Sequence, residues 1–144
     1  MNQPLLTLRN LTWAFFALFV LLVGMNYMPF IVADNGKVFG FFRLEHAGNV
    51  LHVISGIWAF LAAVTTRGAQ LFYFRVFGTA YFLDGVVGVT FGSAYLNGNV
   101  FNPAHEPVAD MATRFVVNAP HLVIGGLAMI IGFHLYRKIS PLTH

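Results

Sequence analysis

Of the 144 residues, 58% are hydrophobic and 9% charged, and the mean hydropathy is +0.72, whereas a soluble domain carries roughly a quarter charged residues. Such a chain lacks the polar residues to cover a surface in water, so a lipid bilayer is its expected solvent. The sequence has no cysteine, which excludes disulfides, thiolate metal sites, iron–sulfur clusters and a catalytic thiol; its formal charge of +3 comes from eight dispersed Lys and Arg residues rather than from the basic patch that nucleic acid requires.

A helix that spans the hydrocarbon core needs about 20 mostly apolar residues. Four stretches qualify, residues 10–30, 48–66, 71–92 and 116–136. The expected fold is therefore an all-α, four-transmembrane-helix bundle, up-down-up-down, forming a single domain over residues 1–144. Arg9 before the first run and Ile31-Val32-Ala33 after it give that run some features of a signal peptide, but it is longer than a signal peptide's apolar core and reads as the first crossing. The flanks on the side of the amino terminus, the second connection and the carboxyl tail hold Arg9, Arg67, Arg75, Arg137 and Lys138, and the opposite loops hold Lys37, Arg43 and Arg114. The Lys and Arg bias predicts both termini in the cytoplasm. Asp34, Glu45, Glu106 and Asp110 then all fall on the outer side.

The outer loops, residues 31–47 and 93–115, are the elaborate ones. In the first, Asp34-Asn35-Gly36 gives a turn and Phe39-Gly40-Phe41-Phe42 a segment for the membrane interface. In the second, Asn97-Gly98 and Asn102-Pro103 are turn signals, and Val108, Met111 and Phe115 recur at helical spacing after Pro107, which predicts a short interfacial helix. Residues 67–70, with Gly68, form a short inner connection, so the second and third helices should pair as an antiparallel hairpin.

An offset of 69 residues aligns Asn49-Val50-Leu51-His52-Val53-Ile54-Ser55-Gly56 with Asn118-Ala119-Pro120-His121-Leu122-Val123-Ile124-Gly125. Both read Asn-x-x-His-x-x-x-Gly. The second and fourth helices thus read as two copies of one element, a parallel repeat of two hairpins. Each His lies one turn deeper than its Asn, about 4.5 Å at 1.5 Å per residue, which sets two imidazoles at one depth. Asp84 is the sole carboxylate in any predicted span and sits just below that layer. Facing lipid it would cost a few kcal/mol, so it should face the bundle interior, with His52 and His121 as candidate partners. Gly78, Gly85, Gly88 and Gly92 on the third helix, with Gly88-x-x-x-Gly92 as a small-xxx-small pair, and Gly125, Gly126 and Gly132 on the fourth would allow close helix approach.

Val38-Phe39-Gly40-Phe41-Phe42, Asn49-x-x-His52-x-x-x-Gly56-Ile57-Trp58, Phe77-Gly78 opening the third helix and the second Asn-x-x-His in the fourth together resemble a family of uncharacterised small bacterial membrane proteins that carry a domain of unknown function. The resemblance extends from the first helix to Tyr136. It implies a four-helix fold and a bacterial membrane, an inner or a photosynthetic one, and it implies no activity. The segment around His105-Glu106-Pro107 departs from the family pattern.

Three functional readings follow. The paired His52 and His121 could ligate a haem iron or chlorophyll-type magnesium, with Asp84 behind them; the preferred reading is structural, with each Asn and His capping a membrane helix and Pro120 in its first turn. Asp84 could serve a proton-coupled transporter, against a structural hydrogen bond. Glu45, His46, His105, Glu106 and Asp110 match no metal-ligand spacing, and no phosphate loop, nucleophile elbow or paired-carboxylate motif is present. The leading expectation is a non-enzymatic accessory subunit or oligomeric packing protein, embedded in lipid and associated with other membrane subunits or with itself. Asn49, Asn118, Gly56, Gly125, Gly88 and Gly92 are its expected structural residues.

Overall fold

The computed structural model describes residues 7–25, 27, 28, 30–33, 38 and 46–136. It is all-α, with four helices: α1 (Leu8–Met25), α2 (His46–Val64), α3 (Arg67–Phe91) and α4 (Met111–Ile130). A π-helical turn, Ile131–Leu135, continues α4, and a short 3-10 turn, Asn99–Phe101, lies in the connection between α3 and α4. Three of the helical stretches, Leu8–Met25, Arg67–Phe91 and Met111–Leu135, are long and apolar enough to cross a membrane, and Gly48–Val64 is a shorter apolar helix. The turn expected at residues 34–36 and the aromatic segment at 39–42 lie outside the described residues, as do Lys37, Arg43, Glu45, Arg137 and Lys138.

Helix ends differ from those that hydropathy suggests, each for a local reason. α3 starts at Arg67 because the Thr66 side chain caps it, accepting a hydrogen bond from the Ala69 amide. The connection from α2 is therefore shorter than residues 67–70. α4 starts at Met111, where Asp110 is the cap: its carboxylate accepts from the Thr113 amide and hydroxyl, both at 2.7 Å. These bonds hold the Asp110 carboxyl below the usual carboxylate range. Met111 and Phe115 consequently belong to the first turns of α4 rather than to a separate interfacial helix. The expected cap at Asn118 is corrected too. Asn118 lies two turns inside α4, where its Nδ2 donates to Arg114 O, one turn back, at 2.9 Å, and Pro120 is an interior proline.

The helices pack as antiparallel neighbours. Arg9 at the start of α1 donates to Thr65 O just past the end of α2, and Phe19 further along α1 lies against Gly56 of α2. α3 and α4 approach most closely. A Cβ on Gly78 would meet Met129 N and Ala128, one on Gly85 would meet Leu122 at 2.9 Å, and one on Gly125 would overlap the Phe82 backbone. A methyl on Gly88 would overlap the Asn118 side chain. Small residues let the two backbones interlock, which is how helices gain packing energy where burial from water cannot supply it. Gly92 plays another part. It is the C-cap of α3, at φ 75, with its N–H donating to Gly88 O, and only glycine adopts that left-handed conformation without strain.

Aromatic rings fill the centre. Tyr73, Phe77 and Tyr81, spaced one turn apart on α3, stack with centroids 5.0 and 4.9 Å apart. Phe15 and Phe19 of α1 meet them edge-on, and Trp58 of α2 closes on Tyr73 at 5.4 Å. Each such pair adds about 0.5–1.5 kcal/mol beyond its buried area.

Candidate functional site

Toward the end of the bundle where α3 leads into the connection to α4, α3 carries Asp84, whose side chain is fully buried. Its orientation follows from the helix period: Tyr81 and Gly88, three residues before Asp84 and four after it, share its inward face.

Both carboxylate oxygens of Asp84 are engaged. Oδ1 accepts from the backbone amides of Tyr95 at 2.8 Å and Leu96 at 2.7 Å, and Oδ2 lies 2.6 Å from Nδ1 of His121 on α4. One side chain therefore joins three parts of the chain: α3, α4 and the segment that follows α3. Tyr95 adds a further tie, its hydroxyl donating to Ala80 O at 2.6 Å. Burial and the adjacent Asp84 carboxylate push the Tyr95 phenol up, which keeps it protonated as a donor.

The rest of the segment is held from its far end. Val108 N donates to Gly92 O at 3.0 Å. Arg114 donates through Nε to Val108 O and through Nη1 to Thr90 O. Residues 92–110 are thus fastened to the helix ends by Asp84 at one point and by Arg114 at another.

His52 of α2 is buried, and its Nδ1 has no hydrogen-bond partner among the described residues. Its ring lies 6.0 Å from Phe19, Phe19 lies 6.0 Å from Tyr81, and Tyr81 lies 4.4 Å from His121. All four helices contribute a ring to this layer. The Tyr73 and Tyr81 hydroxyls are also buried without a partner among the described residues. Of the two partners expected for Asp84, the structure supplies His121; His52 makes no bond to it.

The tautomer of His121 decides what this arrangement can do. With Nδ1–H donating to Asp84, Nε2 keeps its lone pair, the orientation that a carboxylate imposes on a metal-ligating histidine. Among the described residues, no group of three or more His, Cys, Asp or Glu side chains could hold a metal ion. His105 is half-buried and Glu106 exposed.

Sequence reasoning misses Tyr95 and Leu96, which act through backbone amides, and it places Arg75 on a flank, whereas Arg75 lies two turns inside α3. Arg75 Nε donates to Gly132 O in the π-helical turn at 2.9 Å, and its guanidinium lies 4.9 Å from the Tyr136 ring. Compared with known protein families, curated proteins and solved structures, the chain matches none.

Proposed function

We propose that this is a non-enzymatic membrane protein that crosses a bacterial inner or photosynthetic membrane four times, up-down-up-down, with both termini cytoplasmic. Its role is to hold residues 92–110 in a fixed shape at the outer surface, as an accessory subunit or within an oligomer. The observation that carries this reading is the use of Asp84. Two of its three hydrogen bonds go to the backbone of the segment that follows α3 and the third to His121, so this carboxylate ties that segment and α4 to α3. The glycines do not argue for partners, because Gly78, Gly85, Gly88 and Gly125 are taken up between α3 and α4. The two hairpins support the repeat: Gly56 of α2 receives Phe19 of α1, as Gly125 of α4 receives Phe82 of α3.

A second reading, a haem- or chlorophyll-binding protein, has one observation in its favour. His121 is oriented by Asp84 as a ligating histidine would be, and His52 Nδ1 lacks a partner among the described residues. Against it, each imidazole packs on an aromatic ring, His52 on Phe19 at 6.0 Å and His121 on Tyr81 at 4.4 Å.

One preparation separates the readings. The protein is purified in mild detergent, its mass measured by light scattering and its absorption recorded from 350 to 800 nm, oxidised and then reduced. The expected outcome is an assembly larger than one chain with no band in that range. A single chain at every detergent ratio contradicts the subunit role, and a stoichiometric Soret or chlorophyll band that His121→Ala removes establishes the second reading instead.

A further inference from the structure

At the end of the bundle opposite Asp84, three arginines converge on the α2–α3 turn and the last turn of α4. Arg9 Nη2 donates to Thr65 O at 3.5 Å, Arg67 Nη2 donates to Tyr136 O at 3.4 Å, and Arg75 Nε donates to Gly132 O at 2.9 Å. Thr65 and Arg67 flank the same turn, and Arg67 and Arg75 share Tyr136. Each arginine is held by a carbonyl, which satisfies an N–H but neutralises no charge. Arg67 Nε is buried and has no partner among the described residues.

Among the described residues, no carboxylate meets these cations. Asp84 bonds to His121 instead, and Glu106 and Asp110 lie in the segment at the other end of α3. Three guanidinium groups beside lipid require anions, and the described residues supply none here.

We propose that this end of the bundle binds the phosphate of an anionic phospholipid, with Arg67 and Arg75 as its principal contacts and Arg9 at the rim. Guanidinium forks match phosphate oxygens, and basic pockets between membrane helices hold acidic headgroups in this way. A lipid is favoured over free phosphate because exposed apolar side chains continue from the arginines: Phe72 and Val76 on α3, and Phe133 and Leu135 beside Tyr136. They give acyl chains a surface to follow.

The inference rests on the membrane reading above, and its test is chosen to fail separately. Purified protein in neutral detergent is given phosphatidylglycerol, phosphatidylcholine or inorganic phosphate. Retained lipid is counted by native mass spectrometry and unfolding is followed by tryptophan fluorescence. Phosphatidylglycerol is expected to be retained in preference to phosphatidylcholine and to raise the unfolding temperature. Arg67→Gln should lower that preference about fivefold, as expected for one cation at a membrane surface, and Arg67→Lys should keep most of it. Raising the ionic strength of the wild-type sample should weaken the preference without any substitution, which covers the case of a variant that does not fold.

Equal retention of the two lipids, or a preference unchanged in Arg67→Gln, overturns the proposal. Stabilisation by inorganic phosphate alone, with none from the lipid, overturns it in favour of a soluble anion site. None of these outcomes bears on whether the chain crosses the membrane.

Discussion

A carboxylate inside a bundle is tolerated when its oxygens find donors, and Asp84 finds three. Removing it would leave two amides and an imidazole nitrogen without their acceptor, at about 1–3 kcal/mol for each group that stays buried. Amide hydrogen exchange can read this directly. Tyr95 and Leu96 lie outside any helix, yet their amides should exchange slowly in the wild type and at least tenfold faster in Asp84→Ala; fast exchange in the wild type would show that Asp84 does not hold the segment. Asp84 and His121 are visible in the sequence because an acid and a histidine are rare in apolar spans. Their partners in the loop are not visible there, since any residue offers a backbone amide. Arg75 is hidden by a boundary at residue 71, which sets it close to the flank.

Between elements, the contact of α3 with α4 depends on how small its interface residues are. Spacing alone predicts glycine-mediated approach, and the structure distinguishes positions that spacing treats alike. A Cβ on Gly125 would overlap the Phe82 backbone, whereas one on neighbouring Gly126 would meet the Phe82 ring no closer than 3.7 Å. Gly125→Ala should therefore separate the helices and destabilise the fold by about 1–3 kcal/mol, with Gly126→Ala close to neutral. Thermal unfolding of both variants in the same detergent checks the difference, and equal losses would contradict the interlocked packing. Helix starts are legible only in part. Thr66 and Asp110 are ordinary caps, but apolar runs point further along the chain, because hydropathy marks the lipid-embedded stretch rather than the first hydrogen-bonded turn.

For the whole molecule, composition alone points to lipid, and an all-α chain with three helices long and apolar enough to cross a membrane agrees with that. The paired motif directs attention to one layer of the bundle, where His121 joins Asp84 and His52 packs beside Phe19. The proposed sidedness follows the Lys and Arg bias of the flanks, and it sets which face of the membrane residues 92–110 and the proposed lipid site would occupy. The absence of native cysteine makes it accessible to labelling. Single-cysteine variants Ala33→Cys, Gly68→Cys and Ala104→Cys are treated in intact cells with a maleimide that cannot cross the membrane. Labelling is expected at positions 33 and 104 in intact cells and at position 68 only after permeabilisation; labelling of 33 and 104 from opposite sides, or of 68 from the same side as both, would contradict the four-crossing topology.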